Sequence, residues 1–558
     1  MTNTLFPARL RIGLTCLLAC SSGNAVFSHQ SLAQDAQLQQ AFTRIEAYFR
    51  QCCQNDATPG AALVLTTPER SLTTLVHGVA DIPSATLVSP ETLFAIGSIG
   101  KSFTAVTLLA LQDEQKFDFQ KPVQNYLPWW NVRSQPAIRG HHLVTHTANI
   151  PGYRGDMSCS LFETAWLNDA PIQFNPGKQF HYSSNAYSIL GHLIEVCGEK
   201  DYGEMVREKI LTPLAMTNSE PVLVNAMRTQ LAASYVPLYH GQRPTHPEDP
   251  LVDAGFYEYT KGAGSVCCTA PDLAKYLRML LKRGEGVLTP QSFDTLIRPG
   301  YQYGPDHAYG YGLDVRTAEG KTLIQHAGGC FGFRSNLVGE LDSGCGAVLL
   351  ANGPVTMDIA NFAVTALRAA HLDQPLPPVP APIPVTFVAT DYLGAYKTAS
   401  GQTLTIQASG DHLNLTSQEQ TFSLVPRGGD RFCCRHPEFS DFLLSFQRKS
   451  GQVNKVVYGS DCYFHEHHES PPESPLPESW AGLTGHFAAT TLPPTSFRIV
   501  AREGQLLFVS PGGGETPLQL LNGSTFRIGD APEWLTFQRR IDGRAMRVEY
   551  SGMHCYRK

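Results

Sequence analysis

The chain has 558 residues and a formal net charge of −6 without a basic block, which excludes the clustered Lys/Arg footprint of a nucleic-acid binder. A hydrophobic content of 42% excludes intrinsic disorder over most of the length, and that length predicts several domains rather than one. Only 16% of residues are charged, with 48 Gly and 39 Pro, so a turn-rich fold is expected, and no apolar run is long enough to predict a membrane-spanning helix.

At the N-terminus, Arg9 and Arg11 precede the apolar stretch Ile12 to Ala19, and no acidic residue occurs before Asp35. This is the layout of a bacterial secretory signal, so residues 1–33 are read as a leader and the protein as periplasmic or secreted. Ser31-Leu32-Ala33 offers ordinary cleavage; the alternative is a lipobox, Leu17-Leu18-Ala19-Cys20, with a lipid anchor on Cys20. Twelve cysteines follow the leader, and an oxidising compartment permits disulfides whose pairing the sequence does not specify. No CxxC or paired Cys/His zinc spacing occurs, and Cys462 with His465, His467 and His468 reads as a solvated loop.

A mixed α/β block is expected over 36–372. Within it, Gly100-Lys101-Ser102 ends like a phosphate-binding loop, but Ala95 stands where that motif needs glycine. The same segment contains Ser98-x-x-Lys101, and no other lysine of the chain has a serine three residues before it. The pair opens the apolar run Phe103 to Leu111, which reads as a buried helix. Residues i and i+3 share a helix face, so Lys101 lies one turn from the Ser98 hydroxyl. A buried lysine loses proton affinity and can serve as the base a serine nucleophile needs. Further on, the turn Asn175-Pro176-Gly177 leads to Tyr182 in a polar loop, followed by a helical segment. His326-Ala327-Gly328-Gly329 ends a strand-like run, with glycines that allow close backbone approach.

Two proline-rich linkers, 373–386 and 470–479, then separate two similar modules, 387–469 and 480–558. Gly394 matches Gly485, and Phe446-Gln447-Arg448-Lys449 matches Phe537-Gln538-Arg539-Arg540, both at an offset of 91. Alternating runs such as Ser496 to Val500 predict small antiparallel barrels made by duplication. Neither module gathers a nucleophile with a base, so the chemistry is placed upstream. The Pro511-Gly512-Gly513-Gly514 turn is nevertheless a candidate to reach over the pocket.

In this order the motifs resemble the penicillin-recognising serine hydrolases: class C β-lactamases, DD-peptidases, D-aminopeptidases and related esterases. Secondary landmarks are Leu143-Val144-Thr145-His146-Thr147, Ala263-Gly264-Ser265, Thr269 to Ala274 and Tyr309-Gly310-Tyr311-Gly312. The resemblance implies an α/β (α+β) catalytic domain with a central antiparallel sheet flanked by helices, followed by lipocalin-like barrels. It implies that Ser98 is acylated, that Lys101 is its base partner, and that Tyr182 passes protons to the leaving group and helps activate the deacylating water. His326 would donate hydrogen bonds to Tyr182 or to a substrate carboxylate. The N–H groups of Ser98 and Gly329 would form the oxyanion hole, and Ser184, Asn185 and Gly328 would line the substrate site. No metal or cofactor is implied. The family's Tyr-x-Asn reads Tyr182-Ser183-Ser184 here, with Asn185 one place late, so the Asn that bonds a substrate amide is missing or displaced. His326 in place of lysine, together with two trailing barrels, leans toward D-aminopeptidases. The expected function is cleavage of amide bonds in small peptides or amides, with esterase or weak β-lactamase activity as an alternative. A non-catalytic binder of cell-wall fragments is the reading from another class.

Overall fold

The segment Gly60–Thr66 (β1) shows how the first domain is layered, because every residue of it is buried. Its alternate side chains enter two different cores: Ala62 and Val64 face one, while Ala61, Leu63 and Leu65 face the other. A strand buried on both faces must lie inside a sheet covered on both sides. The computed structural model describes residues 24–152, 160–256, 258–259, 262–381, 386–468, 475–489 and 495–558. Arg9 to Cys20, on which the leader was read, lie outside the described residues.

The covering helix α1 (Asn24–Asn55) leads into β1, followed by β2 (Ser71–Asp81) and β3 (Thr86–Leu87). The chain then leaves the sheet to build α2 (Gly100–Asp113), α3 (Ser184–Gly198) and α4 (Ala270–Leu281). It returns as β4 (Tyr301–Gln302), β5 (His307–Tyr309), β6 (Asp314–Ala318), β7 (Lys321–Cys330), β8 (Phe333–Glu340) and β9 (Gly346–Ala351), and closes with α5 (Ile359–His371). These nine strands form one antiparallel sheet in the order β3-β2-β1-β9-β8-β7-β6-β5-β4. Helices α1 and α5 cover one face, with Ile45, Phe49, Phe362 and Leu367 in that core. The other face carries the larger core, with α2, α3 and α4. The expected α/β layering with a central antiparallel sheet is therefore present, and the first and last strands of the domain pair directly.

Downstream lie two closed eight-stranded antiparallel barrels, one from Gly394–Lys397 to Asp461–His465 and the other from Gly485–Ala489 to Met553–Arg557. The repeat read from sequence aligns strand by strand. Gly394 and Gly485 open the first strand of each barrel, and Phe446 and Phe537 lie on the sixth. The barrels do not hang free on their linkers. Arg435 of the first barrel pairs with Asp249 at 3.2 Å, and Arg44 on α1 donates to the Leu376 and Pro377 carbonyls at 2.8 Å. The Pro511–Gly514 turn does not reach over the pocket. Gly513 packs on Leu443 of the first barrel, so this turn belongs to the joint between the barrels.

Among the described residues, Cys52, Cys53, Cys267, Cys268, Cys433 and Cys434 are free thiols, so none of these vicinal pairs is bridged. His465 Nε2 lies 3.0 Å from the Leu393 carbonyl, and no three His, Cys, Asp or Glu side chains among the described residues converge as a metal cluster would. No helix among the described residues is long and apolar enough to cross a membrane.

Candidate active site

Ser98 sits in the tight turn Gly97–Ile99 that runs directly into α2. The turn depends on contact between backbones. Gly97 has φ +51°, and a Cβ there would lie 2.8 Å from the Gly329 nitrogen on β7. A Cβ on Gly328 would lie 2.1 Å from the Ile96 carbonyl oxygen. Only glycine permits this approach, which brings the peptide stretches of Ser98 and Gly329 side by side. Ser335 Oγ secures the same junction by donating to the Ile96 carbonyl at 2.7 Å.

Helix α2 is buried from Gly100 through Leu111, as expected of a helix apolar on all sides. Lys101 is therefore fully enclosed. Its Nζ donates to Ser98 Oγ at 3.1 Å, to Ser184 Oγ at 3.3 Å and to the Ala263 carbonyl at 2.8 Å. All three partners are neutral, and burial lowers its pKa to about 7, with Cys330 pulling the other way. A phosphate-loop lysine would reach out of its loop toward a ligand; this one is bonded inward.

Tyr182 immediately precedes the start of α3. Ser183 is the N-cap, and its Oγ accepts from the Ala186 N–H at 3.2 Å. The same Oγ donates to the Pro151 carbonyl at 2.7 Å, and the Ser183 N–H donates to His146 Nδ1 at 3.0 Å. These bonds aim the Tyr182 ring over Lys101, whose Nζ lies 4.9 Å from the ring centroid. Surrounding protein raises the phenol pKa and a hydrogen bond with Ser98 opposes that rise. The ring remains 39% exposed at the mouth of the site, which tempers the rise through solvent screening.

Ser98, Lys101, Tyr182 and Ser184 thus come together, and two other expectations change. Ser184 Oγ accepts from Lys101, so it belongs to the lysine's surroundings as well as to the lining. Asn185 is 1% exposed and turned away, its amide donating to the Pro151 and Gly152 carbonyls at 3.3 and 3.2 Å. It therefore does not replace the displaced family Asn. His326 does not donate to Tyr182: its Nδ1–H points to the Ala327 carbonyl at 2.7 Å and its Nε2 accepts from the Tyr309 hydroxyl at 3.0 Å. Burial, reinforced by Lys101, lowers its pKa to about 4, so the ring is neutral near pH 7. It lines the site, its centroid 6.4 Å from that of Tyr182.

His146, in sequence only part of a family landmark, is a wall of the site, its ring 4.3 Å from Tyr182. Burial, with Lys101, His326 and His181 adding to it, holds its pKa well below the ordinary value. With Nδ1 accepting from Ser183, the neutral ring carries its proton on Nε2. Tyr309, from another landmark, closes the box on the far side at 4.9 Å from His146.

The family model described as beta-lactamase matches residues 45–371, more than half of the chain. An unguisins hydrolase of Aspergillus campestris is 28% identical over 336 residues, covering 54% of this chain and 60% of that protein. Penicillin-binding protein 4 of Amycolatopsis lactamdurans is 28% identical over 235 residues, 40% of this chain and 60% of that protein. The chain thus spans well under two thirds of these two relatives. Among solved structures, the octameric penicillin-binding protein homologue from Pyrococcus abyssi superposes with a TM-score of 0.55 at 20% identity, covering 76% of this chain and 99% of that one, a likeness of fold.

Proposed function

Because the chain belongs to the beta-lactamase family, the penicillin-recognising serine hydrolases, we propose that it cleaves amide bonds of small peptides, D-residues among them, through an acyl group on Ser98. The observation that carries this reading is the buried Lys101 amine, 3.1 Å from the Ser98 hydroxyl with a pKa near 7. Neutral Nζ takes the proton as Oγ attacks the substrate carbonyl carbon, and charge builds on the carbonyl oxygen against the N–H groups of Ser98 and Gly329. Collapse breaks the C–N bond. The departing amine takes a proton from the Tyr182 hydroxyl, which Lys101 then restores. Water enters by the reverse relay, giving up its proton, and frees the acid and Ser98. The raised pKa of Tyr182 suits this role, since the phenol keeps its proton until a basic amine requires it. The paired barrels and His326 support small peptide substrates through the likeness to D-aminopeptidases, and Arg9 and Arg11 before an apolar stretch support an exported protein.

Intact-mass spectrometry with a penicillin and with D- and L-aminoacyl amides is the test: one acyl adduct on Ser98 and faster turnover of the D-series are expected. Binding without any adduct would instead favour a non-catalytic receptor, and turnover confined to esters or cephalosporins would move the substrate class.

The pH profile follows from Lys101. Its pKa is lowered, so the base is present above about pH 7 and is lost by protonation below it. The kcat/KM for a small activated ester should fall about tenfold per unit below pH 7 and be flat above it. His326, neutral across this range, adds no second step. A rate independent of pH from 5 to 9 would remove Lys101 as the base.

A further inference from the structure

The second barrel touches the catalytic domain beside the site described above. The step between its strands Thr525–Ile528 and Trp534–Ile541 ends in Glu533, and Trp534 opens the second of them. Trp534 is 1% exposed and lies in the catalytic domain's core, its ring 5.5 Å from Trp166. Gly552 lies flat on the same Trp166 ring, where a Cβ would come within 2.7 Å. This apolar plug brings Glu533, itself 3% exposed, against the loop of Tyr182. Glu533 Oε1 accepts from the Gly152 N–H at 2.9 Å and from His181 Nε2 at 3.0 Å.

Those two donors flank Tyr182. His181 precedes it in the chain, and its N–H is fixed on the His146 carbonyl at 2.8 Å. Gly152 is wedged between Glu533 and the loop: the position of its Cβ would be 3.5 Å from both Glu533 Oε1 and the Tyr182 carbonyl oxygen. Pro151, next to Gly152, receives the Ser183 hydroxyl. The bonds therefore close a loop from Glu533 through Gly152, Pro151 and Ser183 to Tyr182 and back through His181. Charge-assisted bonds to a buried carboxylate are the strong ones, and breaking one leaves the partner donor stranded.

We propose that Glu533 is a positioning residue for the hydrolysis, holding the His181–Ser183 arch so that the Tyr182 phenol stays over Ser98 and Lys101. The second barrel thereby completes the active site of the first domain. This rests on the acyl-serine reading of Ser98, Lys101 and Tyr182.

The test uses the full-length chain, with a fluorophosphonate adduct on Ser98 measured first and p-nitrophenyl acetate kinetics second. A displacement of about 1 Å in a reacting group costs on the order of 10²-fold, so Glu533→Ala is expected to lower kcat by about 10- to 100-fold. KM should move by less than about threefold, because the arch acts on the rate and not on binding. Glu533→Gln, whose amide oxygen still accepts from Gly152, should recover most of the rate. His181→Ala cuts the same link from the other side and should lower kcat about tenfold, and with Glu533→Ala the losses should not multiply. A kcat within twofold of wild type in either folded alanine variant, with wild type labelled at Ser98, would overturn the proposal alone. No adduct on wild-type Ser98 would overturn the acyl-serine reading and this proposal with it.

Discussion

Ser98→Ala is expected to lower kcat/KM on a small activated ester by a factor on the order of 10⁴ to 10⁶, the scale seen when a serine hydrolase loses its nucleophile. The substitution removes one oxygen and leaves the surroundings held by other bonds. Lys101 keeps the Ala263 carbonyl at 2.8 Å and Ser184 Oγ at 3.3 Å, and Gly97 stays locked against Gly329. Thermal unfolding should therefore move little, which separates lost chemistry from lost fold. A thiol also lies near Lys101, that of Cys330 at the end of β7. Burial pushes its thiol up, against the pull of Lys101 and Arg334, and a thiol that keeps its proton is a poor nucleophile. The fluorophosphonate adduct seen on wild type should be absent from the variant. Persistent labelling of Ser98→Ala would transfer the nucleophile's role elsewhere.

What the sequence makes legible here is local or repeated. Ser98 and Lys101 were found because one helical turn fixes their distance whatever the remainder of the fold does. For Tyr182 the Pro-Gly turn and the start of a helix fix only a loop position, and its role is what the family resemblance implies. The barrels were found because two copies of one module share an offset, which proves to be strand against strand. Asn185 failed for a geometric reason. Successive residues of a helix point about 100° apart, so with Ser183 as cap Ser184 faces Lys101 and Asn185 faces Pro151. For His326 only the bond to Tyr182 is absent: its identity was readable, but which ring nitrogen is occupied depends on Tyr309, 17 residues away, and on a backbone carbonyl. Glu533 lies 381 residues from Gly152, and its contact exists only because one folded module docks on another. The Trp534 plug that fixes that docking removes roughly 200 Å² of aromatic surface from water, worth about 5 kcal/mol before the costs of association. No periodicity in the chain announces such a contact. The glycine run at 512–514 shows the reverse, a segment whose composition names no partner, and it packs on Leu443.

Lys101→Ala and Tyr182→Phe should each cost about 10² to 10⁴ in kcat/KM, the usual range for a proton-transfer group. Together they should cost little more than the worse of the two. The reason is that they handle the same proton. Lys101 Nζ is bonded to Ser98 Oγ and lies 4.9 Å from the Tyr182 ring centroid. On the proposed relay, a proton leaving Ser98 reaches the departing amine through both groups. Once Lys101 is gone, Tyr182 is neither supplied nor recharged, and removing its hydroxyl takes away a step that has already stopped. Groups that act as a unit behave in this non-additive way. Lys101→Ala also removes a donor from Ser184 and from the Ala263 carbonyl, so its unfolding temperature must be measured alongside the rate. Tyr182→Phe keeps the ring on His146 at 4.3 Å and serves as the variant with an intact frame. The decisive quantity is the double-mutant cycle on one aminoacyl amide at one pH above 7. A combined loss equal to the product of the singles would mean that two independent groups assist Ser98, and the shared relay would be wrong. A combined loss within about tenfold of the worse single, far below that product, is the expected result.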